Sequence, residues 1–124
     1  MPRLAPKRES LPADRLTLRL DLASGARIGP GKIALLEAIG RTGSISAAGR
    51  ELRMSYRRAW DLVEELNHSL GVAMVSTATG GSGGGGAALT PAGQALINEY
   101  RALEREALAL AAPRITAILR ARES

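Results

Sequence analysis

Apolar residues change their period several times along this chain, and each change marks an element. Leu16, Leu18, Leu20 and Leu22 alternate with Thr17, Arg19 and Asp21. A repeat of two puts the four leucines on one face of a strand, which Ser24-Gly25 ends. Leucine also favours helices, so a short helix competes, but strict alternation favours the strand. From Pro30 the repeat lengthens. Ile33, Leu35, Leu36 and Ile39 share the inward side of a helix, with Lys32 and Glu37 outward and Gly40 suited to the left-handed residue that closes it. Thr42-Gly43-Ser44 then forms a turn, and Ser44 caps a helix running through Leu52. Ile45, Ala48, Gly49 and Leu52 recur there at i, i+3, i+4 and i+7. Ala47, Ala48 and Gly49 are small enough to admit a neighbouring helix.

Arg53-Met54 makes a short turn in which Met54 plugs the core, and Ser55 opens a third helix to about Leu70. At about 100° per residue, Ala59, Leu62, Val63, Leu66 and Leu70 form one buried stripe. Arg57, Asp61, Glu64 and His68 lie opposite, Arg58 and Trp60 flank the stripe, and Gly71 ends the helix. Val72–Thr77 and Ala87–Thr90 bracket a glycine-rich stretch, the pattern of a β-hairpin with a long tip. Thr90-Pro91 starts a fourth helix, with Thr as N-cap and Pro at the first helical position. On it Leu96, Tyr100, Leu103, Ala107 and Leu110 are spaced alternately by four and three, the period of a helix–helix seam. Pro113 is expected to end or kink this helix near Ala111, leaving Ile115, Ile118 and Leu119 in a last short amphipathic stretch. The fold class expected is therefore mainly α with a small β-hairpin wing. Residues 1–14, with three Pro, form a tail; 15–90 make the folded unit; 91–124 hold the long helix and a C-terminal tail.

Composition narrows the chemistry. A chain of 124 residues suits one domain. With no Cys and a single His, disulfides, thiol catalysis and Cys-based zinc sites are excluded, and no metal site is expected. No apolar leader stands at the N-terminus, so a cytoplasmic protein with no membrane association is expected. The net charge of +5 is localised. Residues 41–60 hold Arg41, Arg50, Arg53, Arg57 and Arg58 against one Glu, a balance of +4; residues 61–69 reverse to −3; residues 70–98 carry no charge. A short basic segment of this kind is the footprint of a phosphate-facing surface.

A helix of small residues, a tight turn, a basic-tipped helix and a hairpin together form the pattern of a winged helix-turn-helix. Such a unit places its second helix in the major groove of DNA, about 12 Å wide, and uses residues at that helix's start against base edges. Ser55, Tyr56, Arg57 and Arg58 stand there, with Trp60 on the flank and Ser44 and Ser46 on the bracing helix. Arg57 suits bidentate contact with guanine, and Arg58 suits phosphate. Duller roles stand beside these. Arg57 and Asp61 can be a surface pair worth tenths of a kcal/mol, Trp60 half-buried packing, Tyr56 a ring leaning on the core, Ser44 and Ser46 caps, and His68 a solvated side chain. The glycine-rich tip, with Gly80, Gly81 and Ser82 as its candidate backbone contacts, is not a nucleotide-binding loop. That loop needs Gly-Lys-Ser/Thr leading into a helix, whereas Gly86 precedes Ala87-Ala88-Leu89. A flexible linker is the plain alternative for the tip.

Three runs together carry a family likeness: Gly43-Ser44-Ile45-Ser46-Ala47-Ala48, Ser55-Tyr56-Arg57-Arg58-Ala59-Trp60-Asp61, and Thr79-Gly80-Gly81-Ser82-Gly83-Gly84-Gly85-Gly86-Ala87, followed by Leu89-Thr90-Pro91-Ala92-Gly93. From about Leu16 to Ala111 the chain resembles the DNA-binding domain of ModE-type molybdate-responsive regulators, and more broadly the LysR-type winged helix. The resemblance implies a bacterial transcription factor that binds double-stranded DNA as a homodimer, not an enzyme. It implies that the long helix, through Leu96, Tyr100, Leu103, Ala107 and Leu110, pairs the subunits. Family members often bind molybdate in a separate β-rich domain. Only eleven residues follow Pro113 here, so no cofactor is expected in this chain, and a separate molybdate-sensing protein is a candidate partner. Wings of related proteins can also carry a basic residue where this chain has Ser82. Two rivals remain: a winged-helix module for protein interaction or dimerisation without its own operator, and an enzyme using the glycine loop for a nucleotide.

Overall fold

In the computed structural model, residues 13–78 and 86–123 are described; the expected N-terminal tail, up to residue 12, lies outside them. The elements run β1 (Leu20–Asp21), β2 (Arg27–Ile28), α1 (Pro30–Thr42), α2 (Ile45–Glu51), α3 (Tyr56–Leu70), β3 (Val75–Ala78), β4 (Gly86–Leu89) and α4 (Pro91–Ala121). The fold is a winged helix-turn-helix: three helices, an antiparallel β3–β4 wing with Val75 opposite Leu89, and a long fourth helix. Among the described residues, no helix is long and apolar enough to cross a membrane.

α1 is the centre of the core. Ile33, Leu35, Leu36, Ala38 and Ile39 are completely removed from water, because α2, α3, α4 and β4 all pack on this helix. From α3 the core takes Ala59, Leu62, Val63 and Leu66, as the stripe predicts, with Leu70 partly buried at its edge. Leu52 and Met54 plug the gap below α2.

Three expectations about element boundaries are corrected. The strand expected over Leu16–Leu22 is paired only at Leu20–Asp21, with Ile28 and Arg27. Its partner strand cannot lengthen, since Pro30 has no N–H to donate and already begins α1. Leu18 and Leu20 therefore pack on the core while Leu16 and Leu22 stay exposed. Second, α1 runs past Gly40 to Thr42. Gly43 takes the left-handed position instead, at φ 71°, and donates its N–H to Ile39 O. Gly40 serves proximity: a Cβ there would stand 2.8 Å from Cδ1 of Leu89, where β4 crosses the helix. Third, Pro113 does not end α4, which continues for 31 residues to Ala121. Pro113 and Ala109 are exposed, so water can satisfy the Ala109 carbonyl that the proline leaves without a helical donor.

The wing and α4 meet at one tight point. Thr90 caps α4 by accepting from Gly93 N–H at 3.0 Å, and its hydroxyl donates to Ala73 O at 2.6 Å. Thr90 N–H donates to Met74 O, and a Cβ on Gly93 would fall 2.1 Å from that same oxygen. Gly93→Ala is therefore expected to destabilise the protein by about 1–3 kcal/mol in denaturant titration, the usual cost of overpacking. Gly31→Ala, which meets open space in α1, should be neutral or mildly stabilising. Equal midpoints for the two variants would show that the helix does not approach the wing root this closely.

Candidate nucleic-acid interface

The basic segment folds into α2, a turn and α3, and both serines that open these helices act as caps. Ser44 Oγ accepts from Ala47 N–H and Ser55 Oγ from Arg58 N–H, each at 3.0 Å. Each hydroxyl keeps its own proton, so capping leaves it able to donate outward. Ser46 accepts from Nη1 of Arg50 at 2.9 Å. The two helices touch closely where Gly49 faces Ala59: a Cβ added to Gly49 would stand only 3.2 Å from the Ala59 methyl. Small residues on α2 thus let α3 lie against it with its first turn projecting into solvent.

That first turn carries the candidate contacts. Arg57 and Arg58 are exposed, Arg57 to 87% of its side chain. Arg57 Nε stands 3.7 Å from Asp61 Oδ1, longer than a hydrogen bond, so the pair holds the guanidinium only weakly. Tyr56 does not lean on the core, as its helical position suggests. It is 57% exposed, because the buried stripe begins only at Ala59 and leaves no apolar surface beneath it. Its ring instead meets the half-buried Trp60 edge-on, 6.2 Å between centroids. His68 is exposed.

Tertiary contacts redistribute the charge that the sequence counts. Arg41 forms two hydrogen bonds to Glu51, which hold that carboxyl below its ordinary range. Lys32 of α1 pairs with Glu65 and lowers it likewise, so the acidic far half of α3 is less negative than its composition. Among the described residues, Arg50, Arg53 and Arg58 have no carboxylate partner. Arg50 and Arg53 belong beside Arg57 and Arg58, although the sequence pattern assigns them no contact with bases; the run of arginines is the signal that points to them. Arg53 is also the one non-glycine residue with positive φ among the described residues, at 60°. The tight turn into α3 requires that conformation, which an L side chain adopts at a cost.

The wing is fastened to this reading unit at the root of β3 and partway along β4. Asn67 of α3 accepts from Met74 N–H at 2.7 Å, holding the chain just ahead of β3. On the other strand, Ala87 N–H donates to the carbonyl of Gly43, in the turn between α1 and α2. The described strands of the wing are therefore hydrogen-bonded to the helix-turn-helix from both sides. Gly80, Gly81 and Ser82, the expected wing contacts, lie outside the described residues, as does Thr79.

Along α4 the expected seam residues divide. Tyr100 is buried in its own chain, 1% exposed, and its hydroxyl donates to Leu18 O at 2.6 Å; burial raises its pKa. Leu96 packs partly on the same core. Leu103 and Leu110 are exposed, the latter to 80%, and Ala107 is half-exposed. Ile118 falls on the same side of the helix farther along, whereas the exposed Leu108 and Leu119 stand about 140–160° round from Leu103. Tyr100 is thus closed to a partner, whereas Leu103 and Leu110 are open to one.

The stretch that builds this face recurs in known proteins. Residues 31–94 match the bacterial regulatory helix-turn-helix protein, lysR family. The molybdenum-pterin-binding protein MopB of Rhodobacter capsulatus is 57% identical over 81 residues, 65% of this chain and 30% of that one. The DNA-binding transcriptional dual regulator ModE of Escherichia coli K12 is 42% identical over 85 residues, 68% of this chain and 32% of that one. The chain thus spans about a third of the length of the curated relatives it matches. Among solved structures, the CbnR DNA-binding domain in its DNA complex aligns at TM-score 0.48 and 24% identity, covering 76% of this chain and 97% of that one.

Arg53→Gly should expose the tension between stability and charge at this face. Removing the side chain from a left-handed position is expected to raise stability by about 1 kcal/mol. The same change should weaken salt-dependent binding to duplex DNA and lower the salt slope by about 1. Denaturant titration and binding at several salt concentrations check the two signs; a variant both less stable and equally tight would assign Arg53 to the fold alone.

Proposed function

The chain belongs to the lysR family of bacterial regulatory helix-turn-helix proteins, and from that membership we propose that it binds operator DNA as a homodimer to regulate transcription. The observation that carries this reading is the arginine set around the start of α3. Arg50, Arg53 and Arg58 are exposed without carboxylate partners among the described residues, and the Arg57 side chain is 87% exposed. They surround a capped helix start, where unpaired N–H groups add partial positive charge of their own. Arg57 reads a base edge, Arg58 and Arg53 hold phosphate, and the Ser44, Ser46 and Ser55 hydroxyls complete the backbone contacts. Tyr56 and Trp60 form an aromatic ledge beside them, and the wing tip with Gly80, Gly81 and Ser82 follows the neighbouring backbone.

Two-fold pairing supplies the second half-site. Exposed Leu103, Leu110 and Ile118 on one helix support α4 as the pairing element, with two recognition helices about 34–36 Å apart in successive major grooves. No reaction is involved, and the site of action is the cytoplasm, where the operator is. The relatives' names carry molybdenum, but those chains are about three times as long as the matched stretch. DNA reading is the role proposed for the matched stretch, with no cofactor bound by these 124 residues and a molybdate response supplied by a separate protein. A purely protein-binding winged helix is less well supported, since such a module has no need of exposed arginines on the last turn of α2 (Arg50), in the turn (Arg53) and at the start of α3 (Arg57 and Arg58).

Selection of bound duplexes from a random pool, with and without molybdate, tests operator and effector together. Enrichment of a two-fold-related sequence is expected, with affinity falling steeply as salt rises. Arg57→Ala should cost about 1–3 kcal/mol on the selected operator and relax preference at one base pair. Unchanged preference in competition would remove Arg57 from base reading. Leu110→Glu is expected to shift the protein from dimer to monomer in sedimentation while leaving its thermal midpoint nearly unchanged, since that side chain touches little of its own chain. A persistent dimer would place the interface elsewhere.

A further inference from the structure

A polar connection ties α4 to the domain body. Arg101 uses all three guanidinium nitrogens: Nε and Nη2 donate to the two carboxylate oxygens of Glu37 on α1, at 3.0 and 2.7 Å, and Nη1 donates to Glu104 at 2.7 Å. The guanidinium also lies 5.8 Å from the centre of the Tyr100 ring. About a third of each side chain of the Arg101–Glu37 pair remains accessible, so it is half-desolvated. Glu37 is held below its ordinary pKa, first by those hydrogen bonds and also by the nearby charge of Arg41. Arg41 is one turn along the same face of α1 and grips Glu51 on the last turn of α2. A chain of charges thus runs from α4 across α1 to the helix-turn-helix.

This contact stands at the base of a long stretch of helix with no buried residue. Only Gly93, Ile97 and Tyr100 of α4 are buried, all in its first three turns. Beyond Glu104 the helix runs on for 17 residues to Ala121, a lever of about 25 Å at 1.5 Å per residue. A 10° change at its base would displace the far end by ~4 Å, more than the ~3.4 Å rise of one base pair. Apolar contacts of Ile97 and the Tyr100 ring resist separation but tolerate small rotations, and the Tyr100 hydroxyl ties α4 to the segment before β1 rather than to α1; a bidentate guanidinium–carboxylate fork fixes orientation against α1 itself.

We propose that Arg101 is a positioning residue that sets the angle at which α4 leaves the domain body, and thereby the separation of the two recognition helices in the dimer. This rests on the homodimeric reading above. Arg101 touches no DNA; it acts through Glu37 and α1. A lysine at this position keeps the charge but cannot occupy both oxygens of Glu37 and reach Glu104 together, so it should behave as a loss of the device.

The chain has no cysteine, so His68→Cys, at an exposed position on α3, supplies a single spin label per subunit. In the labelled dimer of residues 1–124, a narrow distance distribution between the two labels is expected. Arg101→Lys and, separately, Glu37→Gln should each broaden it at least about twofold while sedimentation still reports a dimer. On duplexes built from the selected operator, the parent should disfavour half-sites moved by one base pair by about tenfold, and both variants by less than about threefold. Affinity for a single half-site should not change, a readout that simple unfolding would not spare. An unaltered distance distribution and spacing profile in both variants overturns the role of Arg101. A monomeric parent overturns it as well, but by removing the dimer on which it rests, and sedimentation alone distinguishes that case. Should Arg101→Lys fail to fold, Glu37→Gln carries the same test from the other side of the contact.

Discussion

The burial of α1 is the constraint on which the other elements depend. Ile33, Leu35, Leu36 and Ile39 are entirely inaccessible. At roughly 1.5–3 kcal/mol per large aliphatic side chain, they contribute about 6–12 kcal/mol, comparable to the whole net stability of a domain. A 13-residue helix with side chains buried on most sides must be covered by several elements at once. α2 and α3 cover one side, β4 crosses at Gly40, and α4 lies against the Ile97–Tyr100 side. With only two tyrosines and one tryptophan in the chain, aliphatic interdigitation does nearly all of this work.

The reading surface follows from that packing and uses very little of its own. Its first turn is exposed because α3 begins before the core does, at Tyr56, while burial starts at Ala59. Gly49 lets α3 approach α2 closely, and the turn between them is tight enough to hold Arg53 in the left-handed region. Ion pairs elsewhere are sorted so that the exposed arginines around α3 are left free of strong partners. Arg41 is taken up by Glu51, and Lys32 by Glu65. An exposed pair of this kind adds little stability, so its consequence is mainly a cleaner positive field around α3.

Much of this is legible from residue order, and the failures are instructive. Helix starts at Ser44, Ser55 and Thr90 are readable because a hydroxyl accepting an N–H three residues on is a local event. The buried stripe of α3 is readable because its period is local too. Gly40 misleads because a glycine that serves close approach looks like one that serves handedness until the crossing strand is seen. Tyr100 falls in a regular four-three spacing with Leu103 and Leu110, yet its partner is Leu18, 82 residues away. Pro113 has the signature of a helix breaker, but exposed carbonyls can turn to water, so one missing donor does not stop α4.

By itself, then, the amino-acid sequence determined the order and type of the helices, the hairpin between Met74 and Thr90, and the concentration of arginines at one helix start. Each of these is set by interactions within a few residues: capping, periodicity and backbone preference. Tertiary structure alone decided which arginines remain unpaired, which seam residues are closed inside the protomer, and how Arg101 fastens α4 to α1. Those outcomes depend on side chains from elements far apart in the chain meeting across α1. No local pattern encodes such a meeting.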